Sequence, residues 1–221
     1  ENNEGYENLT KIVSRGFVDG FYYKPRVDFE TLREFSKGII ASSACLAGEV
    51  ARNLAVNRYE DAREAALRYR DIFGEENFFL ELQDHGLSVQ KAVNQQLIRL
   101  SRETGIPLIA TNDIHYTNPE DWEAHDLLLC LQTGKKASDE DRMRYEGGQY
   151  YLKSEEEMRA LFAAVPEALE NTAKIAARCE VEIRFHELKL PAYDVPADYP
   201  DAESYLRALS EEGFRARYPE E

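Results

Sequence analysis

Leu108-Ile109-Ala110-Thr111-Asn112-Asp113-Ile114-His115-Tyr116 is an apolar run that ends in a polar tip, with Asp and His two residues apart. Side chains at i and i+2 of a strand point to the same face. As a strand end, this stretch aims Asp113 and His115 at one point in space. A carboxylate and an imidazole converging at the C-terminal end of a parallel strand make half a metal site. The same residues also suit a strand that merely exits into a polar loop, with His115 hydrogen-bonded to its neighbour. Both readings stand at this point.

Working upstream, Val93, Leu97 and Leu100 follow a helical spacing that stops at Gly105. Before them, Phe78-Phe79-Leu80-Glu81-Leu82 predicts a strand that ends at Gln83-Asp84-His85-Gly86. Over 58–73, Tyr59, Ala62, Ala66, Tyr69 and Phe73 share one helical face, and Gly74 sits where a C-cap belongs. Gly38-Ile39-Ile40-Ala41 is a further short apolar run, followed by small residues and Cys45. Strand, helix, strand, helix, strand is the pattern of a parallel α/β sheet or barrel. Tyr6, Leu9, Ile12 and Val13 are already helically spaced, so the chain is expected to start inside an element, as a fragment would.

Downstream the character changes. Pro119 opens a segment in which Trp122, His125, Leu128 and Leu129 fit a helix, and Lys135 to Gly148 reads as an extended polar loop. Ser154 and Glu157 have the spacing of a capping box and predict a helix carrying Met158, Leu161 and Phe162. Pro166 opens another helix through Ile175 to Cys179. Proline-rich 190–200 predicts an extended linker, and a last helix runs from about Ala202 to Arg217.

Composition sets the limits. The 221 residues are 43% hydrophobic and 31% charged, as in an ordinary globular domain large enough to bury a core. No long apolar window or signal-peptide pattern appears, so no membrane partner is expected. Cys45, Cys130 and Cys179 are scattered and odd in number, which argues for a reducing, cytoplasmic setting rather than a disulfide framework. The net charge of −15 opposes nucleic-acid binding over the general surface. Contact with DNA would need a local basic patch, a metal, or another part of a larger protein.

Three expected strand ends carry reactive groups: Cys45, His85, and Asp113 with His115. A thiolate, two imidazoles and a carboxylate suit zinc and, less well for sulfur, manganese. The bland alternatives are a buried structural thiol at Cys45 and a turn histidine at His85. His125 reads as packed or solvent-facing, and His186, beside Phe185 in a strand-like segment, has no partner spacing. Lys24 and Arg26, beside Phe21-Tyr22-Tyr23, suit a phosphate or a surface loop held by Asp28. There is no phosphate-cradling glycine loop, nucleophile elbow or Cys-x-x-Cys pair.

The segments GFYYKPRVD (20–28), SSACLAGEVAR (42–52), FFLELQDHG (78–86), PLIATNDIHYTNPEDWEAHDLLLCLQTGK (107–135) and QYYLKSEEEMRALFAAVPEALENTAKIAARC (149–179) resemble the bacterial DNA polymerase III alpha subunit family. They look like its polymerase-and-histidinol-phosphatase (PHP) domain. The resemblance implies part of a distorted (βα)7 barrel over 1–188, followed over 189–221 by a helical extension and linker toward a polymerase palm. It implies a metal-dependent phosphoesterase, able in some members to proofread as a 3′–5′ exonuclease.

By the same resemblance, Asp113 and His115 match a ligand pair, Cys45 matches a position able to carry a ligand, and His85 lies in a family segment. Zinc or manganese would be the cofactor of that site, and magnesium that of the parent polymerase. DNA and other replicase subunits would be the partners. An early His-x-His motif and the catalytic aspartates of the palm are absent from this sequence, so no catalytic residue for DNA synthesis is assigned. Early strands missing from the barrel would expose edges and favour association of copies. A free-standing PHP phosphatase and a non-catalytic scaffold remain as alternatives.

Overall fold

The structure, a computed structural model, describes residues 1–188 and 190–219. They fall into two compact units, Glu1–Glu182 and Ile183–Glu221. The expected boundary at Lys189 lies on a residue outside those described.

The first unit opens with α1 (Asn3–Val18), and the Asn2 side chain accepts from the Gly5 N–H at 3.0 Å. The chain thus contains this helix's own N-cap, a correction to the expectation of a start inside an element. α2 (Phe29–Glu34) is capped in the same way by Asp28. Then come β1 (Ala41–Ser42), α3 (Glu49–Ala55), α4 (Tyr59–Phe73), β2 (Phe78–Gln83), α5 (Ser88–Thr104) and β3 (Leu108–Thr111).

The strands form one parallel sheet in the order β1-β2-β3, with Ala41 opposite Phe78 and Leu80 opposite Leu108. This is the α/β pattern expected. Among the described residues the sheet is open and three-stranded, so closure into a seven-stranded barrel is not part of what is observed.

Alternation along β2 divides the sheet into two faces. Phe78, Leu80 and Leu82 join Leu108 and Ala110 in the core with Val50, Leu54, Ala62, Ala66, Val93, Leu97 and Leu100 from α3, α4 and α5. Each fully buried Leu there contributes on the order of 2 kcal/mol of transfer free energy. The opposite alternation carries Glu81 and Gln83. Glu81 accepts from the hydroxyls of Ser42 on β1 and Thr111 on β3, and from Gln83 Nε2 at 3.1 Å. One carboxylate thereby ties all three strands together just below their C-terminal ends.

Beyond the sheet, α6 (Trp122–Thr133), α7 (Glu155–Leu161) and α8 (Glu167–Arg178) follow. α8 covers the free edge of β3, where Asn171 Nδ2 donates to the Leu108 carbonyl at 2.8 Å. The second unit contains α9 (Ala202–Arg217), preceded by irregular chain as expected, with the Tyr205 ring between Tyr193 and Tyr199. The strand-like segment at His186 is a turn in which His186 itself has φ +65°. Among the described residues no helix is long and apolar enough to cross a membrane.

Candidate metal centre

β1, β2 and β3 run parallel, so their C-terminal ends share one rim. Cys45 follows β1, His85 follows β2, and Asp113 and His115 follow β3. The last pair stands beyond the strand, which ends at Thr111, so strand alternation is not what orients it. Segment 150–152 does that work. The Tyr150 carbonyl accepts from the His115 N–H at 2.8 Å, Asn112 Nδ2 donates to the Tyr151 carbonyl at 2.6 Å, and Leu152 N–H donates to the Thr117 carbonyl at 3.3 Å.

His115 Nδ1 lies 3.0 Å from the Asp113 carbonyl oxygen and 3.8 Å from Asp113 Oδ1. A carbonyl can only accept, so Nδ1 carries the proton and the neutral ring has its lone pair on Nε2. Metal-ligating histidines are commonly oriented this way, with the second nitrogen hydrogen-bonded to a carbonyl. The Asp113 carboxylate beside it is half-exposed. These two residues fit a divalent ion.

His85 is used differently. Its side chain is buried, with the residue only 2% exposed, and lies parallel to the Tyr150 ring at 4.2 Å. Gln90 Oε1 accepts from the His85 N–H at 2.8 Å, which turns the Gln90 amide nitrogen toward His85 Nδ1 at 2.9 Å. At the other ring nitrogen the Asp113 N–H donates to Nε2 at 3.3 Å, so both nitrogens are engaged within the protein. Neither nitrogen presents a free lone pair. Burial pushes the His85 pKa below its ordinary value, which keeps the ring neutral.

Cys45 is exposed on a turn in which Ala44 has φ +59°. It borders a hollow of about 10 Å³, shared with Glu81, Gln83, Gln90 and Asn94, that is large enough for one water. Among the described residues no set of three or more His, Cys, Asp or Glu side chains is arranged around one ion. The structure brings Asp113 and His115 together, sets His85 against the Asp113 backbone, and leaves Cys45 across the rim.

An aromatic wall missed by the sequence reading completes the rim. The Tyr145 ring lies 4.4 Å from His115, and Tyr150 lies 5.5 Å from it, edge-on. His125, on α6, is 5.3 Å from His115, and burial followed by His115's charge lowers its pKa. Gln90, Tyr145 and Tyr150 are separated from the polar tip in sequence, and no local spacing ties them to it.

Lys24 and Arg26 lie elsewhere. Arg26 sits over the Tyr22 ring at 5.1 Å and borders a hollow that also holds Asp19 and Asp28. Asp28 is engaged at the Thr31 N–H as the α2 cap, which holds its carboxyl below the ordinary range. Arg15 borders this hollow too, so two guanidinium groups stand there among two carboxylates.

Comparison with known proteins adds the family. The PHP domain model matches residues 1–85. The DNA polymerase III alpha subunit of Borreliella burgdorferi is 45% identical over 219 residues, covering 99% of this chain and 19% of that protein. The chain is a relative of the DNA polymerase III alpha subunits and carries PHP-domain sequence. The subunit from Treponema pallidum is 44% identical over 218 residues, covering 99% of this chain and 19% of that protein. That of Thermus aquaticus is 38% identical over 222 residues, covering 98% and 18%. This chain thus spans about a fifth of the length of these relatives. The PHP match contains Cys45 and closes at His85, whereas the likeness to the alpha subunits extends over 99% of the chain.

Proposed function

We propose that this chain is the PHP-containing part of a DNA polymerase III alpha subunit and that its strand-end rim is a metal-dependent phosphodiesterase site, a 3′–5′ proofreading exonuclease. The parent would synthesise DNA in the replisome with magnesium at palm aspartates not found in this sequence. Its partners would be DNA and the other replicase subunits. The observation that carries the reading is the Asp113–His115 pair, with Nδ1 tied back to a carbonyl and Nε2 left free beside a carboxylate.

A divalent ion, zinc or manganese, would polarise a phosphodiester and lower the pKa of a water. Asp113 and His115 would hold it, with Cys45 available from the opposite side of the rim. His85 positions rather than ligates. Its buried ring supports the Asp113 backbone, and the Tyr150 ring stacked on it packs edge-on against His115. The three-stranded sheet fits one sector of a (βα)7 barrel, with further donors supplied by the remaining sectors.

The test is metal content of the polymerase that carries this domain, by plasma mass spectrometry after dialysis. Stoichiometric zinc or manganese that falls at least tenfold in His115→Ala is expected. Metal-free wild-type protein would sink the phosphodiesterase and leave a scaffold. The engaged ring of His85 and the absence of a three-donor cluster among the described residues are what favour that second reading.

A further inference from the structure

Next to the rim, a hollow of about 520 Å³ is lined by Trp122, Asp126, Arg142, Arg144, Tyr145, Gly147 and Gly148. That volume lies in the range of small-molecule sites, roughly 300–1,000 Å³. We propose that this hollow binds a nucleoside 5′-monophosphate group, with the base on Trp122 and the phosphate on Arg144.

Three features select that ligand class. The first is an open aromatic face. Trp122 is 47% exposed, and Gly148, at φ +60°, is its neighbour: a Cβ there would lie 3.9 Å from the indole Cγ and Cδ1. A Cβ at 148 would make ordinary contact with the ring, and its absence leaves that side of the indole open for a base to stack.

The second is one positive charge in excess, since two arginines share this hollow with one carboxylate, Asp126. Arg142 is consumed by Asp126 through two bonds of 2.6 Å, which hold the Asp126 carboxyl below its ordinary range and cancel its charge. Arg144 donates to the Asp139 carbonyl at 2.9 Å and has no ion pair among the described residues, so its guanidinium is available to an anion.

The third is position. Tyr145 lines this hollow and also lies 4.4 Å from His115, so a nucleotide bound here shares a wall with the Asp113–His115 pair. The choice of a nucleotide over other aromatic anions rests on the phosphodiester reading above, whereas the binding step requires no metal.

Trp122 is the one tryptophan in the chain, so its fluorescence reports this hollow directly. The experiment titrates the full chain with dAMP in EDTA, exciting at the red edge of the indole band. Deoxyadenosine, inorganic phosphate and the tetranucleotide (dA)4 are run in parallel. Saturable quenching by dAMP is expected, with at least tenfold weaker responses to the nucleoside and to phosphate. Arg144→Gln should weaken dAMP about tenfold, the loss typical of one charged hydrogen bond, with the thermal unfolding midpoint unchanged.

Tighter binding of (dA)4 than dAMP would identify the source as a strand end, and equal or weaker binding as a free nucleotide. No saturable quenching by dAMP, or equal dAMP affinity in Arg144→Gln, would overturn the proposal. Because EDTA removes metal, these outcomes are independent of whether the Asp113–His115 site loads an ion.

Discussion

His85 shows how far one residue's role was readable. Its place after a strand was legible from Phe78-Phe79-Leu80-Glu81-Leu82, but its use was set by Gln90 on the following helix and by Tyr150, far along the chain. Nothing in the spacing of His85 and Gly86 announces either partner. The Asp113–His115 pair was legible as chemistry, yet its geometry comes from the strand-like segment at 150–152 and not from alternation. Two predictions belong here. Gln90→Leu removes both hydrogen bonds at His85 and leaves a buried N–H and ring nitrogen unpartnered. A loss of about 2 kcal/mol is expected in urea denaturation. The second concerns pH. Burial lowers the folded pKa of His85 below its ordinary 6.5, so the unfolded chain takes up a proton first. Stability is therefore greatest above that value and falls as the pH drops from 6.5 toward the folded pKa. His125 acts in the same sense. Carboxylates held low, such as Asp126, contribute a separate loss further into acid. Denaturation midpoints between pH 8 and 5 should fall in wild type and slope less in His85→Gln; parallel slopes would remove His85 from the account.

At the scale of elements, signals confined to a few residues transferred well. The Ser154 capping box is present in full, with Ser154 Oγ accepting from the Glu157 N–H at 3.2 Å and Glu157 Oε2 accepting from the Ser154 N–H at 2.7 Å. Ser154→Ala should cost about 1 kcal/mol and speed hydrogen exchange in the first turn of α7. Gly105 ends α5 at φ +74°, where the helical spacing stopped. Strands transferred less well, because alternation is local and pairing is not. The segment around His186 alternates but pairs with no strand among the described residues, and β1 is only two residues long. The turn that carries Cys45 depends on a close approach the sequence does not reveal: a Cβ at Gly48 would lie 2.2 Å from the Ser43 carbonyl oxygen. Gly48→Ala must therefore displace backbone between β1 and α3. A loss of more than about 2 kcal/mol is expected in thermal unfolding, in contrast to the gain a helix N-terminus with room for a methyl would show.

At the scale of the whole molecule, surface and charge oppose each other. α1 packs with a face of small and polar residues around Ile12, including Asn8, so its larger apolar side chains are not the covered ones. Gly5, Ile12 and Gly16 are buried, while Tyr6, Leu9, Val13 and Phe17, spaced along one stripe, are each about half exposed. Phe21, Tyr22 and Tyr23 extend that exposed apolar surface. Contiguous patches of this kind mark interaction surfaces. Against association stands the net charge of −15, which makes copies of the chain repel one another at low ionic strength. Salt weakens that repulsion, because the screening length falls from about 10 Å at 0.1 M to about 3 Å at 1 M, while hydrophobic contact survives. Self-association is therefore expected to rise with salt, opposite to the behaviour of an interface made of ion pairs. Sedimentation velocity at 0.05 and 0.5 M NaCl should show a concentration-dependent increase in mass mainly at the higher salt, suppressed in the Val13→Glu, Phe17→Glu double variant. A single species of unchanged mass at both salts would mean that the stripe on α1 does not bring copies together. An increase in mass at low salt that disappears at high salt would assign the contact to charge instead.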